Sequence, residues 1–320
     1  MPDLETLLSQ ASGGDIDAQY AVGVLYLSGL KLAMSTEAAA QRFLNRTDDI
    51  LYNERYCIDQ DYDGDDLYFE PAFRWLQKAA EGGHAGAQTL LGIMYRDGYG
   101  TDVDLDEAFK WFSAAAKQGD GHAQQELGEM YLFGDGVKRK ALRGVKLLEK
   151  AAEQDVPRAL YRMAQLSAAT NLPVGYREAE TLFRKAAELN YTAAKYSLAR
   201  MYLQGDGVEK DYRLGSQLLC IAASEGDRDA QYAIASMYRN GDGIVVQNTD
   251  EAVYWYRLAA DQGNMYAQYD LGEMYLAGEG VTRDVDQAVS WFRRSAGQGN
   301  DEAQQMLDQL LGDHAGETDA

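Results

Sequence analysis

The chain has 320 residues, 51 acidic against 30 basic side chains and a formal net charge of −21 at pH 7. Because no basic stripe runs along any predicted helix and an acidic chain repels other anions, nucleic acid is excluded as a partner class, and a protein with a basic surface fits best. Only Cys57 and Cys220 are present, which excludes a disulfide framework and a thiolate zinc site, and we expect both thiols to be free and buried.

The first residues predict a helix rather than a targeting segment. Met1 to Leu8 contains no cationic stretch followed by a long apolar run, so we predict no signal peptide. No later stretch is apolar enough to cross a membrane. We therefore expect a cytoplasmic protein in which residues 1–13 form a capping helix ahead of the repeats.

One amphipathic phrase, Ala-Gln-x-x-Leu-Gly-x-Met-Tyr-x-x-Gly-x-Gly, recurs along the rest of the chain. Aligned on its first alanine, the copies begin at Ala18, Ala87, Ala123, Ala159, Ala194, Ala230, Ala267 and Ala303. The first gap is 69 residues, nearly two periods, and the later gaps are 35 to 37. Periods of this length predict an all-α solenoid of antiparallel helix pairs, in which each unit buries its apolar face against the next. Residues 14–300, with few prolines and no polar linker, are predicted to form one elongated array.

Each unit is predicted to be a helical hairpin. In the copy from Ala123, small and apolar residues recur at offsets of 0, 4, 7, 8 and 11, which is one face of an α-helix that we name the A helix. Two glycines follow it, and we expect the first, such as Gly98, to end the helix in a left-handed conformation. The second helix of the unit, the B helix, begins at a polar N-cap: Asp104, Asn248 or Asp284. An acidic or amide residue three positions later, such as Glu107, predicts a reciprocal capping box.

Four tryptophans on the B helices are predicted to lie in the core: Trp75, Trp111, Trp255 and Trp291. Two stretches depart from the pattern. In the unit from Ala159, Thr170 to Val174 replaces the double glycine, which predicts a local change of curvature. Residues 46–70 fit a degenerate repeat or an insertion with an acidic loop. At the other end, residues 301–311 are predicted to be a capping helix and residues 312–320 a disordered tail.

These residues resemble the Sel-one-like repeat family, relatives of the tetratricopeptide repeats, over residues 14 to 311. The copy from Ala267, Ala-Gln-Tyr-Asp-Leu-Gly-Glu-Met-Tyr-Leu-Ala-Gly-Glu-Gly-Val, followed by Asp284, Ala288, Trp291 and Gly299, is similar to the family pattern over a whole unit. The resemblance implies a right-handed superhelix of about seven or eight helix pairs, whose concave face binds other proteins. It implies no particular reaction. Some family members are secreted and carry a cysteine pair in each repeat, which this chain lacks.

The segment from Asp59 to Glu70 has the spacing of a twelve-residue calcium loop, with Gly64 at its sixth position. Carboxylates converge on a hard cation where the chain turns sharply. The candidate ligands are Asp59, Asp61, Asp63, Asp65 and Glu70. Three features oppose calcium: Asp66 replaces the usual apolar residue at position 8, no second loop is present to pair with this one, and Gly64 already serves as the turn of the repeat. The alternative is a solvated acidic turn in a protein without a cofactor.

Some charged residues of the A helices differ from one copy to the next, whereas the residues of the repeated phrase recur. We predict that five of them face the concave surface and contact a partner: Arg96, Glu129, Arg200, Arg239 and Glu273. Exposed charges are also the ordinary state of a protein surface, so solvated side chains are the alternative.

The sequence predicts no catalytic site. The three histidines, His84, His122 and His314, lack the spacing of a metal site or of a nucleophile with its base. The glycine turns end helices, whereas phosphate loops lead into them. We therefore predict a non-enzymatic protein-interaction scaffold. Two alternatives stay open, namely a bacterial immunity or inhibitor protein that neutralises a cationic toxin or enzyme, and a calcium-responsive regulator.

Overall fold

The computed structural model describes residues 4–27, 66–169, 173–242 and 245–316, and within these ranges the chain forms sixteen α-helices and no strand. In chain order they are α1 (Leu4–Ser12), α2 (Ile16–Leu27), α3 (Asp66–Glu81), α4 (Ala85–Asp97), α5 (Leu105–Lys117), α6 (Gly121–Glu129), α7 (Ala141–Glu153), α8 (Pro157–Ala168), α9 (Pro173–Glu188), α10 (Thr192–Gln204), α11 (Tyr212–Ser224), α12 (Arg228–Asn240), α13 (Thr249–Asp261), α14 (Met265–Ala277), α15 (Val285–Gly297) and α16 (Asp301–Gly316). A π-helical turn, Met130–Gly134, continues α6. No helix in this part of the chain is both long and apolar enough to span a membrane.

Helices pack against their neighbours in chain order, which confirms the predicted all-α repeat fold. The even-numbered helices are the A helices and the odd-numbered helices are the B helices. Six A–B hairpins share the most extensive contacts: α2 with α3, α4 with α5, α6 with α7, α10 with α11, α12 with α13, and α14 with α15.

The described residues separate into two compact units, the first ending at Gln165 and the second beginning at Leu166. The single array over residues 14–300 stays a prediction. The boundary falls in the unit from Ala159, which lacks the double glycine that elsewhere joins the A helix to the B helix.

Helices α2 and α3 form one A–B hairpin, although residues 28–65 separate them in the chain. A Cβ atom on Gly23 of α2 would lie 2.6 Å from Leu76 of α3, just as a Cβ atom on Gly92 would lie 2.6 Å from Phe112 in the next hairpin. Residues 28–65 lie outside the described residues, so the degenerate repeat and the insertion both stay predictions for residues 46–70.

The two glycines of each A-to-B turn have different structural roles. Gly98, like its equivalents in three other turns, has a positive φ and ends its A helix as predicted. The second glycine permits contact with the preceding repeat, because a Cβ atom on Gly100 would lie 2.5 Å from the carbonyl oxygen of Phe69. Side chains larger than hydrogen at this position would push neighbouring repeats apart.

The B-helix N-caps are confirmed, but the reciprocal half of the capping box is wrong. Asp104 accepts hydrogen bonds from the backbone N–H groups of Asp106 and Glu107, each at 3.0 Å. The N–H group of Asp104 donates instead to the carbonyl oxygen of Tyr95, at 2.8 Å, and the Glu107 side chain binds Lys110. The preceding A helix therefore supplies the acceptor that the pattern assigned to Glu107.

Helix α7 is an exception among the B helices. It begins after Lys140, whose side chain makes no capping hydrogen bond. Its exposed Arg143, Lys146 and Lys150 recur at helical spacing, so the expectation that no helix carries a basic stripe is wrong.

The predicted tryptophan core is shifted by one residue. The fully buried B-helix positions follow the tryptophans: Leu76, Phe112, Tyr256 and Phe292. Trp291 is buried, whereas Trp75, Trp111 and Trp255 are partly exposed. Trp255 and Trp291 pack on the clusters of the preceding repeats. The tryptophans therefore join one repeat to the next.

A row of buried glutamines, the second residue of the repeated phrase, also joins the repeats. The Gln124 side chain donates to the carbonyl oxygen of Ala116 at 3.4 Å and accepts a hydrogen bond of 2.9 Å from Gln154 at the end of α7. The side-chain oxygens of three other glutamines of the row accept equivalent hydrogen bonds: Gln88, Gln231 and Gln268. Lys195 takes this position in α10, and its ammonium group lies 2.5 Å from Glu225.

Helices α1 and α16 lie at the two ends of the described residues, and their role as caps stays a prediction. Helix α1 covers the first A helix. Helix α16 extends to Gly316, beyond the predicted end at Leu311. A single glycine, Gly312, does not end a helix.

Candidate partner-binding surface

Variable charged residues of successive A helices come together in two networks, one in each unit. Counted from the aligned alanine, most of them occupy offsets −1, +3, +6 and +9, while Asp97 lies at +10 and Glu279 at +12. Residues three or four positions apart lie on the same face of a helix, so these offsets form one stripe.

In the first unit the stripe is an ion-pair ladder across α4, α6 and α8. Arg96 binds Glu126 and lies 2.6 Å from Asp97. Arg158 lies 2.7 Å from Glu129 and 3.6 Å from Glu126. Arg162 then lies 3.2 Å from the other oxygen of Glu129. The ladder has three guanidinium groups and three carboxylates, so its charges balance.

Most of this ladder is buried. Glu129 is only 8% exposed, and Arg158 is buried to the same degree. Burial alone would lower the pKa of Arg96, but the carboxylates of Glu126 and Asp97 outweigh it and raise that pKa. The ladder therefore holds the A helices together with little charge left for a partner.

In the second unit the stripe on α12 and α14, together with Glu279 in the turn after α14, forms an acidic cluster. The Arg239 guanidinium lies 3.3 Å from Asp270, 3.5 Å from Glu273 and 3.1 Å from Glu279. We name these four residues the acidic cluster. One cation faces three carboxylates, so the cluster keeps an excess of negative charge.

Burial also makes the ionised form of the Asp270 carboxylate less stable. It raises the pKa of Asp270 to about 6, while Arg239 acts in the opposite direction and Glu273 adds to the rise. Burial and the nearby Glu273 raise the pKa of Tyr269 to about 12. Both shifts show that the ionised forms of these two side chains are disfavoured by their surroundings.

Tyrosine rings border the acidic cluster. The Tyr269 hydroxyl donates to Glu273 at 3.2 Å. The rings of Tyr232 and Tyr266 have centroids 6.0 Å apart, and Tyr266 is 54% exposed. Carboxylates beside aromatic faces are suited to lysine or arginine side chains, which gain both an ion pair and a cation–π contact.

The five predicted contact residues therefore fall into three settings. Arg96 and Glu129 lie in the balanced ladder, and Arg239 and Glu273 in the acidic cluster. Arg200 is exposed, with its guanidinium 5.8 Å from the ring centroid of Tyr196. Contact of these residues with a partner stays a prediction.

The sequence analysis missed Asp270 and Tyr266. Both lie one helical turn or two before Glu273 on the same face, at offsets +3 and −1. The sequence did contain a signal for Asp270, because a residue at offset +3 lies beside the residue at offset +6 on the same face of the helix.

The other predicted features have different outcomes. Cys220 is exposed rather than buried, and Cys57 lies outside the described residues. Of the calcium-loop ligands, Asp59, Asp61, Asp63 and Asp65 lie outside the described residues. Glu70 is exposed and pairs with Arg74 on α3. Within the described ranges, no group of three or more His, Cys, Asp or Glu side chains could hold a metal ion.

Comparison with known proteins identifies the repeat. The Sel1 repeat matches this chain over residues 16–39, 69–84, 85–120, 121–156, 157–191, 192–227, 228–264 and 266–300. None of the curated proteins compared with this chain matches it.

Two solved structures resemble the chain in both sequence and fold. A Sel1 repeat protein from Oxalobacter formigenes is 31% identical, over 72% of this chain and 92% of its own, with a TM-score of 0.62. A protective antigen present in uropathogenic Escherichia coli strains, which displays an SLR fold, is 31% identical over 97% of this chain and 67% of its own, with a TM-score of 0.54. The repeat matches cover well over half of the residues, and the chain therefore belongs to the Sel1 repeat family, whose members are typically protein-interaction scaffolds and generally not catalysts.

Proposed function

We propose that this protein is a non-enzymatic interaction scaffold whose second unit binds a basic segment of a partner protein at the acidic cluster. The observation that carries the proposal is the charge imbalance there, because Asp270, Glu273 and Glu279 share one guanidinium group. An arriving lysine or arginine would supply the missing positive charge.

The cost of burying Asp270 supports the same function. Its raised pKa means that the ionised carboxylate is poorly stabilised by its present surroundings. A bound cation next to it would lower that pKa again and gain binding energy from the change. The exposed Tyr266 ring offers a face for the same cation or for the apolar part of its side chain.

A peptide titration tests this proposal. The probe is a fluorescein-labelled 12-residue peptide of alternating lysine and leucine, and its binding is followed by fluorescence anisotropy at 0.1 M salt. The site variant combines Asp270→Asn with Glu273→Gln. The control variant combines Glu209→Gln with Asp242→Asn, which removes the same charge from exposed positions elsewhere in the second unit.

We expect the site variant to bind about tenfold more weakly and the control to stay within about twofold of the native protein. Equal losses in the two variants would show only a general attraction to an acidic protein and would contradict the proposal. A pull-down with the native chain and the site variant, read by mass spectrometry, then identifies partners that depend on the cluster.

The acidic cluster also fits the narrower proposal of an immunity or inhibitor protein. A cationic toxin or enzyme would be held through the same carboxylates. Its activity should then fall when the native chain is added and recover with the site variant. A partner that keeps its full activity in the complex would support the scaffold and contradict inhibition.

A further inference from the structure

A second charged surface, of the opposite sign, lies in the first unit around the start of α7. Aligned on the second glycines of their turns, Gly100 and Gly136, the neighbouring hairpins differ sharply there. Lys140 takes the place of the N-cap Asp104, and Arg143 takes the place of Glu107.

The charge contrast between the two hairpins is large. Residues 101–114 contain four acidic side chains and one basic one, whereas residues 137–150 contain one acidic side chain, Glu149, and six basic ones. The six are Lys138, Arg139, Lys140, Arg143, Lys146 and Lys150. All six are exposed, and no ion pair joins any of them to a carboxylate within the described residues.

Several of these cations are held in fixed positions by contacts that leave their charge unneutralised. The Arg143 guanidinium lies 4.6 Å from the ring centroid of Tyr131, and the Lys140 ammonium 5.7 Å from it. The Arg139 Nε–H donates to the carbonyl oxygen of Leu132 at 2.9 Å. The rigid scaffold therefore presents an ordered set of positive groups.

Apolar side chains are exposed among the cations. Leu142, which precedes Arg143 and replaces Asp106 of the neighbouring hairpin, is 83% exposed. Phe133, in the π-helical turn, is 53% exposed and lies under the Arg162 guanidinium at 5.2 Å. A surface that alternates cations with apolar groups fits a ligand that alternates carboxylates with apolar groups.

We propose that this basic surface, formed by the six cations with Leu142 and Phe133, docks an acidic peptide segment of a partner protein. Charge complementarity identifies the occupant, because only one of the 51 acidic side chains of this chain lies in residues 137–150. A long polyanion such as nucleic acid fits less well, since the remaining residues carry 50 acidic against 24 basic side chains and would repel it. The basic surface belongs to the first unit and the acidic cluster to the second, and their opposite charges select different ligands.

The experiment uses the full chain and a fluorescein-labelled 12-residue peptide of alternating glutamate and leucine. The site variant combines Arg143→Glu with Lys146→Glu. The control variant combines Lys117→Glu with Arg213→Glu, which makes the same change of charge at exposed positions on other helices. Circular dichroism melts of both variants establish that they fold.

We expect the native protein to bind this peptide at 0.1 M salt, the site variant to bind at least about tenfold more weakly, and the control to stay within about twofold. The lysine–leucine peptide should not distinguish the site variant from the control, which separates this proposal from that for the acidic cluster. Three outcomes would overturn it: equal losses in the two variants, tighter binding of a single-stranded dT12 oligonucleotide than of the peptide, or a native dimer in light scattering that the site variant abolishes.

Discussion

The ladder of the first unit and the acidic cluster of the second occupy the same stripe of the A helices but differ in charge balance. The ladder matches three guanidinium groups with three carboxylates, and Glu129 within it is buried. The acidic cluster gives three carboxylates only Arg239. Variable charges on a repeat scaffold can therefore serve cohesion in one region and leave an unbalanced surface in another, and only the partners of each charge distinguish the two.

The largest effect should come from removing Glu129. Glu129→Ala leaves Arg158 buried without its main partner, so we expect the free energy of unfolding to fall by about 3 kcal/mol. Glu273→Ala relieves the excess negative charge of the acidic cluster and should change stability by less than about 1 kcal/mol. Urea denaturation followed by circular dichroism measures both. If Glu273→Ala is as damaging as Glu129→Ala, the two regions do not differ as proposed.

Asp270 should make the second unit less stable as the pH rises. Its folded pKa is raised to about 6 from 3.8, so between these values the folded state holds a proton that the unfolded state has lost. The contribution of this group to the free energy of unfolding is therefore fully present below about pH 4 and is lost as the pH rises through 6. Asp227, whose pKa burial raises to about 6, acts in the same direction.

Asp270→Asn removes the share of this pH dependence that belongs to Asp270. We expect the variant to gain about 1 to 2 kcal/mol relative to the native protein between pH 5 and pH 7. Denaturation midpoints at both pH values test this. Binding of the lysine–leucine peptide should show the opposite trend and strengthen over the same interval, because the ionised carboxylate attracts the cation. A native protein whose affinity is flat from pH 5 to 7 would remove Asp270 from the site.

The repeat itself could be predicted from the sequence because its signals are local. The double glycines, the N-caps and the apolar period each act within a few residues, and the structure places them as expected. The reciprocal bond of Glu107 could not be predicted from spacing alone, since the carbonyl of Tyr95 from another helix competes for the same N–H group.

The candidate site was predictable only in part. Glu129 and Glu273 occupy the same offset of their repeats, so the sequence predicts the same role for both. No residue close to either of them in the chain indicates that their surroundings differ. Their difference arises from residues about thirty positions away, because Arg158 and Arg162 face Glu129 whereas Glu273 shares Arg239 with two other carboxylates. The six cations of the basic surface could have been predicted from residues 138–150. The net charge of −21 for the whole chain favoured an acidic surface instead.

The row of buried glutamines allows a further comparison of stability between the two units, with a smaller expected effect. Gln124→Leu copies Leu160, which naturally occupies this position in α8, and removes one of the two acceptors of the Gln154 side chain. We expect a loss of about 1 kcal/mol that does not depend on salt. Lys195→Gln, which breaks the ion pair with Glu225, should cost less than this at 0.5 M salt, where the pair is screened. Urea denaturation at two salt concentrations would contradict the comparison if both losses depended on salt alike.

The smallest expected effect belongs to the acidic segment from Asp59 to Glu70. If it binds calcium with a Kd of about 1 mM, 1 mM calcium should stabilise the chain by about 0.4 kcal/mol, a rise in Tm of about 1 °C. Glu70 would have to exchange Arg74 for the ion, which reduces the gain. Asp61→Ala should abolish the rise, and magnesium at the same concentration controls for ionic strength. A Tm that calcium and magnesium shift equally would contradict a calcium site and leave the segment as a solvated acidic turn.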